Sequence, residues 1–191
     1  AGKKHKLMVI APAHHRRIQA GILSWGQDLD AEHNPFQCNL GYQVSLSGKG
    51  EWNKTADYVG KEALEKMKEE IKNGSKPYKL QLVGLVLGGK PIEEYAPDFW
   101  LISNESGGKP VGFITSPWYH PEKKTNIAMG YVPFDGTLNQ NGFPKGKKGT
   151  KFKVHLPAKY SEKPGKPVDA VVVDIPFTES YHANTREVVK G

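Results

Sequence analysis

Hydrophobic residues recur with a helical period in two stretches of the first 76 positions. In the first stretch, Ile18, Ile22 and Trp25 are spaced four and three residues apart. This spacing places the three side chains on one face of a helix, with Arg17 projecting beside them. We therefore predict a short amphipathic helix that ends at Gly26.

The second helical stretch has a stronger pattern. Leu64, Met67 and Ile71 are spaced three and four residues apart, and charged residues occupy many of the positions around them. The Asn-Gly pair at 73–74 supplies a left-handed stop. The pattern predicts a helix over 60–72 with a structural role.

Two shorter segments of the N-terminal part predict strands. A brief apolar run occupies 7–10, and residues 36–46 alternate loosely between apolar and polar positions. The Asn-Pro pair at 34–35 indicates a turn before the second segment. The N-terminal part is therefore predicted to mix helices with short strands.

The pattern changes after Pro77 to short apolar runs separated by turns. Six strands are predicted, at 79–87, 98–103, 110–115, 125–132, 151–156 and 168–175. Because no helix lies between them, they favour a small antiparallel barrel or sandwich. We place a domain boundary between residues 76 and 77, which gives an N-terminal part at 1–76 and a β-rich part at 77–191.

The connections between the predicted strands include a turn at 117–121 and two long segments, 135–149 and 157–167. Both long segments are basic and rich in Gly or Pro. Apart from Phe143 and Tyr160, nothing in these two segments could hold a ligand. We therefore expect exposed loops rather than active-site lids.

Charge narrows the choice of partner. The 191-residue chain has a net charge of +7, but Arg occurs only at 16, 17 and 186, so most of the positive charge is Lys. Lys provides point charges without the bidentate fork that reads guanine or clamps phosphate. We therefore expect no nucleic-acid partner, whereas an anionic small ligand or an acidic partner is compatible with the charge.

Cysteine usage and hydropathy bear on localisation. Cys38 is the single cysteine, which excludes an internal disulfide and suits a reducing compartment. We predict a buried, inert thiol, with a catalytic thiol as the alternative. No run approaches the roughly 18 apolar residues that span a bilayer, so we expect a cytoplasmic protein with no membrane partner.

No metal site is predicted. His14 and His15 are adjacent, so on a helix their side chains point about 100° apart and cannot face one ion. The sequence contains no His-x-x-x-His motif, no Gly-x-Ser-x-Gly nucleophile motif, no Gly-x-Gly-x-x-Gly and no P-loop. We therefore do not expect a zinc enzyme, a serine hydrolase or a self-contained nucleotide site.

Four short motifs occur in one order along the chain. They read RRIQAGILSWGQDLD at 16–30, DYVGKEAL at 57–64, VGFITS at 111–116 and NIAMGYVP at 126–133. In this order they resemble the aminomethyltransferase (glycine cleavage T-protein) family, over about residues 12 to 182. The residues at 16–18 and 34–36 look more like the tetrahydrofolate-dependent demethylase branch, such as dimethylsulfoniopropionate demethylase and the aromatic O-demethylases. The residues at 130–133 look more like the T-protein.

The resemblance implies an α+β fold. Residues 1–76 are expected to form the C-terminal part of an α/β folate-binding domain, and residues 77–191 a six-stranded antiparallel Greek-key β-barrel. Members of the family have about as much chain again before the matching segment, including the acidic residue that acts on the reactive folate nitrogen. We therefore expect the catalytic residues to lie in an N-terminal half of the same protein or in a companion subunit, and this chain alone to form an incomplete cavity.

The resemblance also implies a reaction. Such a protein moves a methyl or aminomethyl group from a small donor to tetrahydrofolate, as a demethylase or an aminomethyltransferase. The protein contributes alignment and electrostatics, while the cofactor carries the carbon. The alternative is a non-catalytic binding or assembly module that keeps the family barrel and contacts an acidic partner through its Lys-rich loops.

Three cofactor contacts follow from the resemblance. Arg17 matches an Arg that serves the ligand site, which suits a guanidinium facing a folate carboxylate. Its alternative role is a salt bridge between the domains. Trp25 stands where the T-protein typically has Tyr, and is expected either to wall the ligand cavity or to fill the core. Tyr181, offset by one position from the family Tyr with His182 at the literal match, is expected to contact the ligand.

Overall fold

The computed structural model describes residues 2–5, 13–46 and 57–177. Its N-terminal part contains two 3-10 helices, Gly2–His5 and Gly41–Gln43, and two α-helices, α1 at His14–Gln19 and α2 at Lys61–Lys72. Six strands follow: β1 at Leu80–Leu87, β2 at Trp100–Asn104, β3 at Pro110–His120, β4 at Thr125–Pro133, β5 at Lys151–Val154 and β6 at Val168–Val173. The strand predicted at 7–10 lies outside the described residues.

The six strands form a closed antiparallel barrel in the order β1-β4-β3-β2-β5-β6. Strands β2, β3 and β4 are successive neighbours, and β1 lies on the other side of β4, which is a Greek-key arrangement. The predicted six-stranded antiparallel barrel is therefore confirmed. Apolar side chains from alternate strand positions fill its interior, among them Val83, Leu85, Ile102, Ile114 and Val172.

The N-terminal part of the chain covers the outer face of β1 and β4. Ile18 of α1 is fully buried and packs in one cluster with Leu82, Met129 and Tyr131. The backbone N–H of Leu82 also donates to the carbonyl of Gln37 at 2.9 Å. Because both faces of β1 and β4 are covered, these strands read as nearly continuous apolar runs.

Helix α2 confirms the prediction for 60–72 to within one residue. Its apolar face packs on the chain that precedes the barrel and on the residue that follows β4. Ile71 is buried there with Phe36, Leu46 and Phe134. The helix therefore has the structural role that its pattern indicates.

The loop at 135–149 is packed more closely than predicted. Leu138 and Phe143 pack against the cluster that Ile71 of α2 forms with Phe36, Leu46 and Phe134. An isolated β-bridge joins Leu138 to Pro144. In the second long loop, Tyr160 is only 6% exposed and belongs to the barrel core. The expectation of exposed loops is wrong at these positions, because their apolar side chains fold back onto the protein.

The first predicted helix is shorter than its pattern. Helix α1 ends at Gln19, and Ile22 and Trp25 are 55% and 71% exposed, so only Ile18 of the predicted stripe is buried. The cause is Gly21, whose φ of +69° turns the chain out of the right-handed helical path. Ile22 and Trp25 therefore keep the helical spacing in the sequence but lie beyond the end of the helix.

The strand predicted over 36–46 does not form. Turns and the 3-10 helix occupy this segment. Asn39 has a φ of +61°, which lies in the left-handed region and is incompatible with a strand. Its side-chain amide donates to the carbonyl of Leu82 at 2.8 Å, so the turn is held against β1.

Strand β3 continues through the turn predicted at 117–121. Its pairing with β4 extends as far as His120 opposite Thr125. Pro117 is accepted in this strand because its pairing with β2 stops at Ile114, opposite Trp100. No described strand on that side needs the N–H that proline lacks.

Candidate functional site

The buried carboxylate of Asp28 organises the junction between the N-terminal part and the barrel. Asp28 is 1% exposed. Its Oδ1 accepts hydrogen bonds from the hydroxyls of Thr115 at 2.5 Å and Ser116 at 2.6 Å, and its Oδ2 from the backbone N–H of Ser24 at 2.8 Å and Nη1 of Arg17 at 2.8 Å. A carboxylate withdrawn from water needs such a set of donors to offset its lost hydration.

A bulge in β3 makes this arrangement possible. Ile114 pairs with Gly130 and Ser116 with Met129, so Thr115 is an extra residue in β3. Adjacent residues of a regular strand point to opposite faces, whereas a bulge re-aims one of them. As a result, the hydroxyls of Thr115 and Ser116 both reach the same carboxylate.

The guanidinium of Arg17 is held by several acceptors of the chain. Besides Asp28, its Nη1 donates to the carbonyl of Ile22 at 3.1 Å, and its Nη2 to Ser116 Oγ at 2.8 Å and Gln27 Oε1 at 3.2 Å. The side chain is 17% exposed. Arg17 therefore faces the protein rather than bulk water.

The Nε and Nη2 edge of the Arg17 guanidinium faces the ring of His14. The His14 Nδ1 lies 3.4 Å from Arg17 Nε, and the His14 Nε2 lies 3.3 Å from Arg17 Nη2. Burial, and then the positive charge of Arg17, lower the pKa of His14, which favours the neutral form of the ring. Tyr95 and Trp118 pack on the same ring, with centroid distances of 5.1 and 5.3 Å.

Tyr131 connects Asp28 to the buried thiol of Cys38. Its hydroxyl donates to the backbone carbonyl of Asp28 at 2.7 Å and lies 3.4 Å from the thiol of Cys38. Cys38 is 2% exposed, so its predicted burial is confirmed. Burial raises the pKa of the thiol, which disfavours the thiolate that nucleophilic catalysis needs.

Four large apolar side chains around this junction are exposed. They are Ile22, Trp25, Tyr95 and Phe99, and we call them the apolar rim; their exposed fractions run from 48% to 71%. Because it is exposed, Trp25 does not fill the core. Aromatic side chains around a partly buried arginine are typical of interaction surfaces.

The structure assembles the predicted site only in part. Arg17 and Trp25 lie in the same junction, while Tyr181 lies outside the described residues. No ligand-binding role is predicted from the sequence for Asp28, His14 or the Thr-Ser pair at 115–116. The available signal was that Asp28 and the Thr-Ser pair belong to two of the four ordered motifs.

The described residues, 2–5, 13–46 and 57–177, hold neither a metal cluster nor a membrane-spanning helix. That part of the chain contains no group of three or more His, Cys, Asp or Glu side chains suited to a metal ion. Nor does any of its helices combine the length and apolar character that crossing a bilayer requires.

Comparison with known proteins gives one family match. Residues 81–178 match the family described as the glycine cleavage T-protein C-terminal barrel domain. This segment is just over half of the chain and contains nearly all of the barrel strands.

Individual relatives extend the match beyond the barrel. An aminomethyltransferase of Thermotoga maritima is 34% identical over 173 residues, which are 91% of this chain and 37% of the relative. A dimethylsulfoniopropionate demethylase of Ruegeria pomeroyi is 34% identical over 134 residues, which are 69% of this chain and 31% of the relative. The chain thus spans about a third of the length of these relatives.

The fold is also seen among solved structures. The glycine cleavage system aminomethyltransferase T of Bartonella henselae superposes with a TM-score of 0.58 at 23% sequence identity. The similarity covers 85% of this chain and 37% of the other. It extends the likeness of fold to most of the chain.

Proposed function

This chain belongs to the glycine cleavage T-protein C-terminal barrel family, and from that membership we propose that it is part of a tetrahydrofolate-dependent one-carbon transferase. The reaction moves a methyl or aminomethyl group from a small donor to tetrahydrofolate. Relatives named as aminomethyltransferases and as a demethylase support both versions of the reaction. We expect the complete protein to work in the cytoplasm.

The observation that carries the proposal is the position of His14 against Arg17. The ring lies along the Nε and Nη2 edge of the guanidinium, which is an edge that binds carboxylates through two parallel hydrogen bonds. Both contacts to His14 are long, and the neutral ring is a weaker acceptor than a carboxylate. In this proposal a carboxylate of the folate tail binds the Nε and Nη2 edge of Arg17 and displaces the His14 ring from it.

Each remaining residue of the junction has a supporting role in this proposal. Asp28 accepts from Nη1 of Arg17 and Ser116 accepts from Nη2, so the direction of the edge that faces His14 is fixed. Trp25 offers an exposed ring at the side of the site. We propose Tyr181 as a further contact to the folate. Tetrahydrofolate, when bound, supplies the nitrogen that accepts the one-carbon unit.

The proposal includes a partner. Because the chain spans about a third of the relatives' length, we assign the catalytic residues to an N-terminal half of the same protein or to a companion subunit. The apolar rim is the surface that this partner covers, since large exposed aromatic side chains beside an arginine are common in interface centres. In this scheme residues 1–76 complete the folate-binding domain and residues 77–191 form the barrel domain.

The test of the proposal is an activity screen of the protein from the full reading frame. With tetrahydrofolate present, the screen offers the aminomethyl donor of the glycine cleavage system, S-methyl donors and O-methyl donors. We expect transfer from one of these classes and, under conditions in which the variant remains folded, a large loss of turnover in Arg17→Ala. Arg16→Ala, the neighbouring arginine, is the matched control. Transfer from none of the donors contradicts the proposal.

The internal hydrogen bonding of Arg17 supports a second candidate. A guanidinium already bound to Asp28, Ser116 and Gln27 is what a structural junction needs. In this version the chain is a non-catalytic binding or assembly module of the same family, and its Lys-rich loops contact an acidic partner. Unchanged turnover in Arg17→Ala, or no turnover with any donor, favours the module.

A further inference from the structure

A second part of the molecule has the shape of a small-molecule site. A cavity of about 680 Å³ lies between the segment that follows α1, strand β1, the loop at 135–149 and the segment that follows β6. Its walls are largely apolar and include Leu23, Val83, Phe143 and Ile175. Pockets that bind small molecules measure roughly 300–1,000 Å³ and are lined in this way.

Close backbone approaches join the walls of the cavity, which is partly open to solvent. A Cβ on Gly21 would lie 2.0 Å from the Cγ2 of Ile175, and a Cβ on Gly146 would lie 2.3 Å from the Cγ1 of Val83. Only glycine allows these segments to meet at such distances. The space therefore lies between walls that are fixed to each other, which is how a formed binding site is built.

The charged residues that line the cavity are Lys145 and Asp174. Lys145 Nζ lies 3.6 Å from the Asp174 carboxylate, while Lys148 Nζ lies closer, at 3.0 Å. The hydrogen bond from Lys148 is the main cause that lowers the pKa of Asp174. Two lysines therefore face the one carboxylate of Asp174, which leaves an excess of positive charge at this wall of the cavity.

Lys145 also lines a smaller cleft on its other side. This cleft measures about 230 Å³ and includes Lys147, Lys151 and Asp135. Three lysines against one aspartate give the cleft an excess of positive charge. The cavity is therefore apolar inside and positively charged at the wall that it shares with the cleft.

We propose that the cavity binds a small carboxylate with an apolar body, such as an aromatic or branched-chain acid. The apolar part lies between Leu23, Val83 and Phe143, and the carboxylate faces Lys145. Cys38 belongs to the wall as a buried thiol and forms no bond with the ligand. The inference goes beyond the proposed function and does not depend on it, because Arg17 does not line this cavity.

Two probes of matched size and opposite charge, together with a small anion, separate this inference from its rivals. The isotope-labelled 191-residue chain is titrated with benzoate, benzylamine and inorganic phosphate, and the backbone amide resonances are followed by NMR. We expect saturable shifts with benzoate at residues such as Gly21, Gly84 and Gly146, and none of comparable size with the other two. Equal binding of phosphate, which indicates the basic cleft alone, overturns the inference, and so does equal binding of benzylamine or no binding of benzoate.

Two variants test the placement of the ligand. Lys145→Ala is expected to weaken benzoate binding about tenfold, because it removes a charged hydrogen-bond donor. Lys109→Ala, at an exposed position away from the cavity, is the matched control and is expected to leave the affinity unchanged. Ala20→Phe, directly after α1, fills the cavity and is expected to abolish binding. Undiminished affinity in Lys145→Ala contradicts the inference whether or not the Phe variant folds.

Discussion

Asp28 and Ser116 are joined by a hydrogen bond of 2.6 Å, although they are 88 positions apart in the chain. Ser116 accepts in turn from Arg17 at 2.8 Å, and Arg17 pairs with the other oxygen of Asp28. The three side chains thus form a closed ring that ties the N-terminal part to the bulge of β3. The ring is buried, so its stability depends on every partner being present.

Replacing Asp28 with Asn tests the ring. The substitution removes the negative charge opposite Arg17, and one oxygen becomes an amide donor that faces other donors. Breaking a buried ion pair in this way costs about 3 kcal/mol of unfolding free energy. Urea denaturation of the chain measures the loss.

The control for this prediction is Asp98→Asn. Asp98 is exposed on the chain before β2, and no hydrogen bond or ion pair joins it to another described residue. Its free energy of unfolding is expected to change by less than about 0.5 kcal/mol. Equal losses in the two variants would falsify the ring as a source of stability.

Gly21 is predicted to tolerate no side chain. Gly21→Ala combines an unfavourable positive φ with a Cβ placed 2.0 Å from Ile175, so we expect a loss of at least about 2 kcal/mol. Gly26→Ala is a matched control, because Gly26 has a φ of +78° but no atom within 4 Å of its Cβ position. It is expected to lose about 1 kcal/mol from the backbone alone. Similar thermal shifts in the two variants contradict the close approach.

The stability of the chain is predicted to fall in mild acid because of His120. This side chain is fully buried, and its Nε2 has no hydrogen-bond partner among the described residues. Burial, and then the charge of Lys123, lower its pKa below the usual 6.5, while Glu122 acts in the opposite direction. As the pH falls below about 6.5, the unfolded chain therefore binds a proton that the folded chain resists, and the free energy of unfolding decreases.

His14 contributes in the same direction, since its pKa is also lowered. Urea denaturation at pH 7.5 and at a series of lower values measures the combined slope. His120→Leu is expected to make the free energy of unfolding less dependent on pH. His155→Leu, at an exposed position, is the control variant. A slope that His120→Leu leaves unchanged contradicts the assignment.

The barrel was predictable because its information is local. Each of the six strands is a short apolar run between turn residues, and α2 has three apolar positions at helical spacing. The failures occur where a distant contact overrides the local pattern. Gly21 ends α1 beside Ile175, and Asn39 adopts a left-handed turn held by Leu82. Pro117 is accepted in β3 because the pairing of β3 with β2 does not extend beyond Ile114.

The site was predictable only at the level of its motifs. Arg17 was identified through the resemblance, and Asp28 lies eleven positions further on in the same motif. Their partners Thr115 and Ser116 come from a strand far along the chain, and the bulge that aims both hydroxyls has no local sequence signal. The exposure of Trp25 was likewise hidden, because its spacing from Ile18 indicated a helix.

The central claim is that the edge of Arg17 now faced by His14 receives a ligand carboxylate. The chain contains three arginines, so their side-chain Nε resonances are simple to assign by NMR. Titration with tetrahydrofolate is predicted to shift the Arg17 Nε resonance and the His14 ring resonances together, with weak affinity, while Arg16 stays unchanged. An Arg17 resonance that does not move while the chain remains folded contradicts the claim.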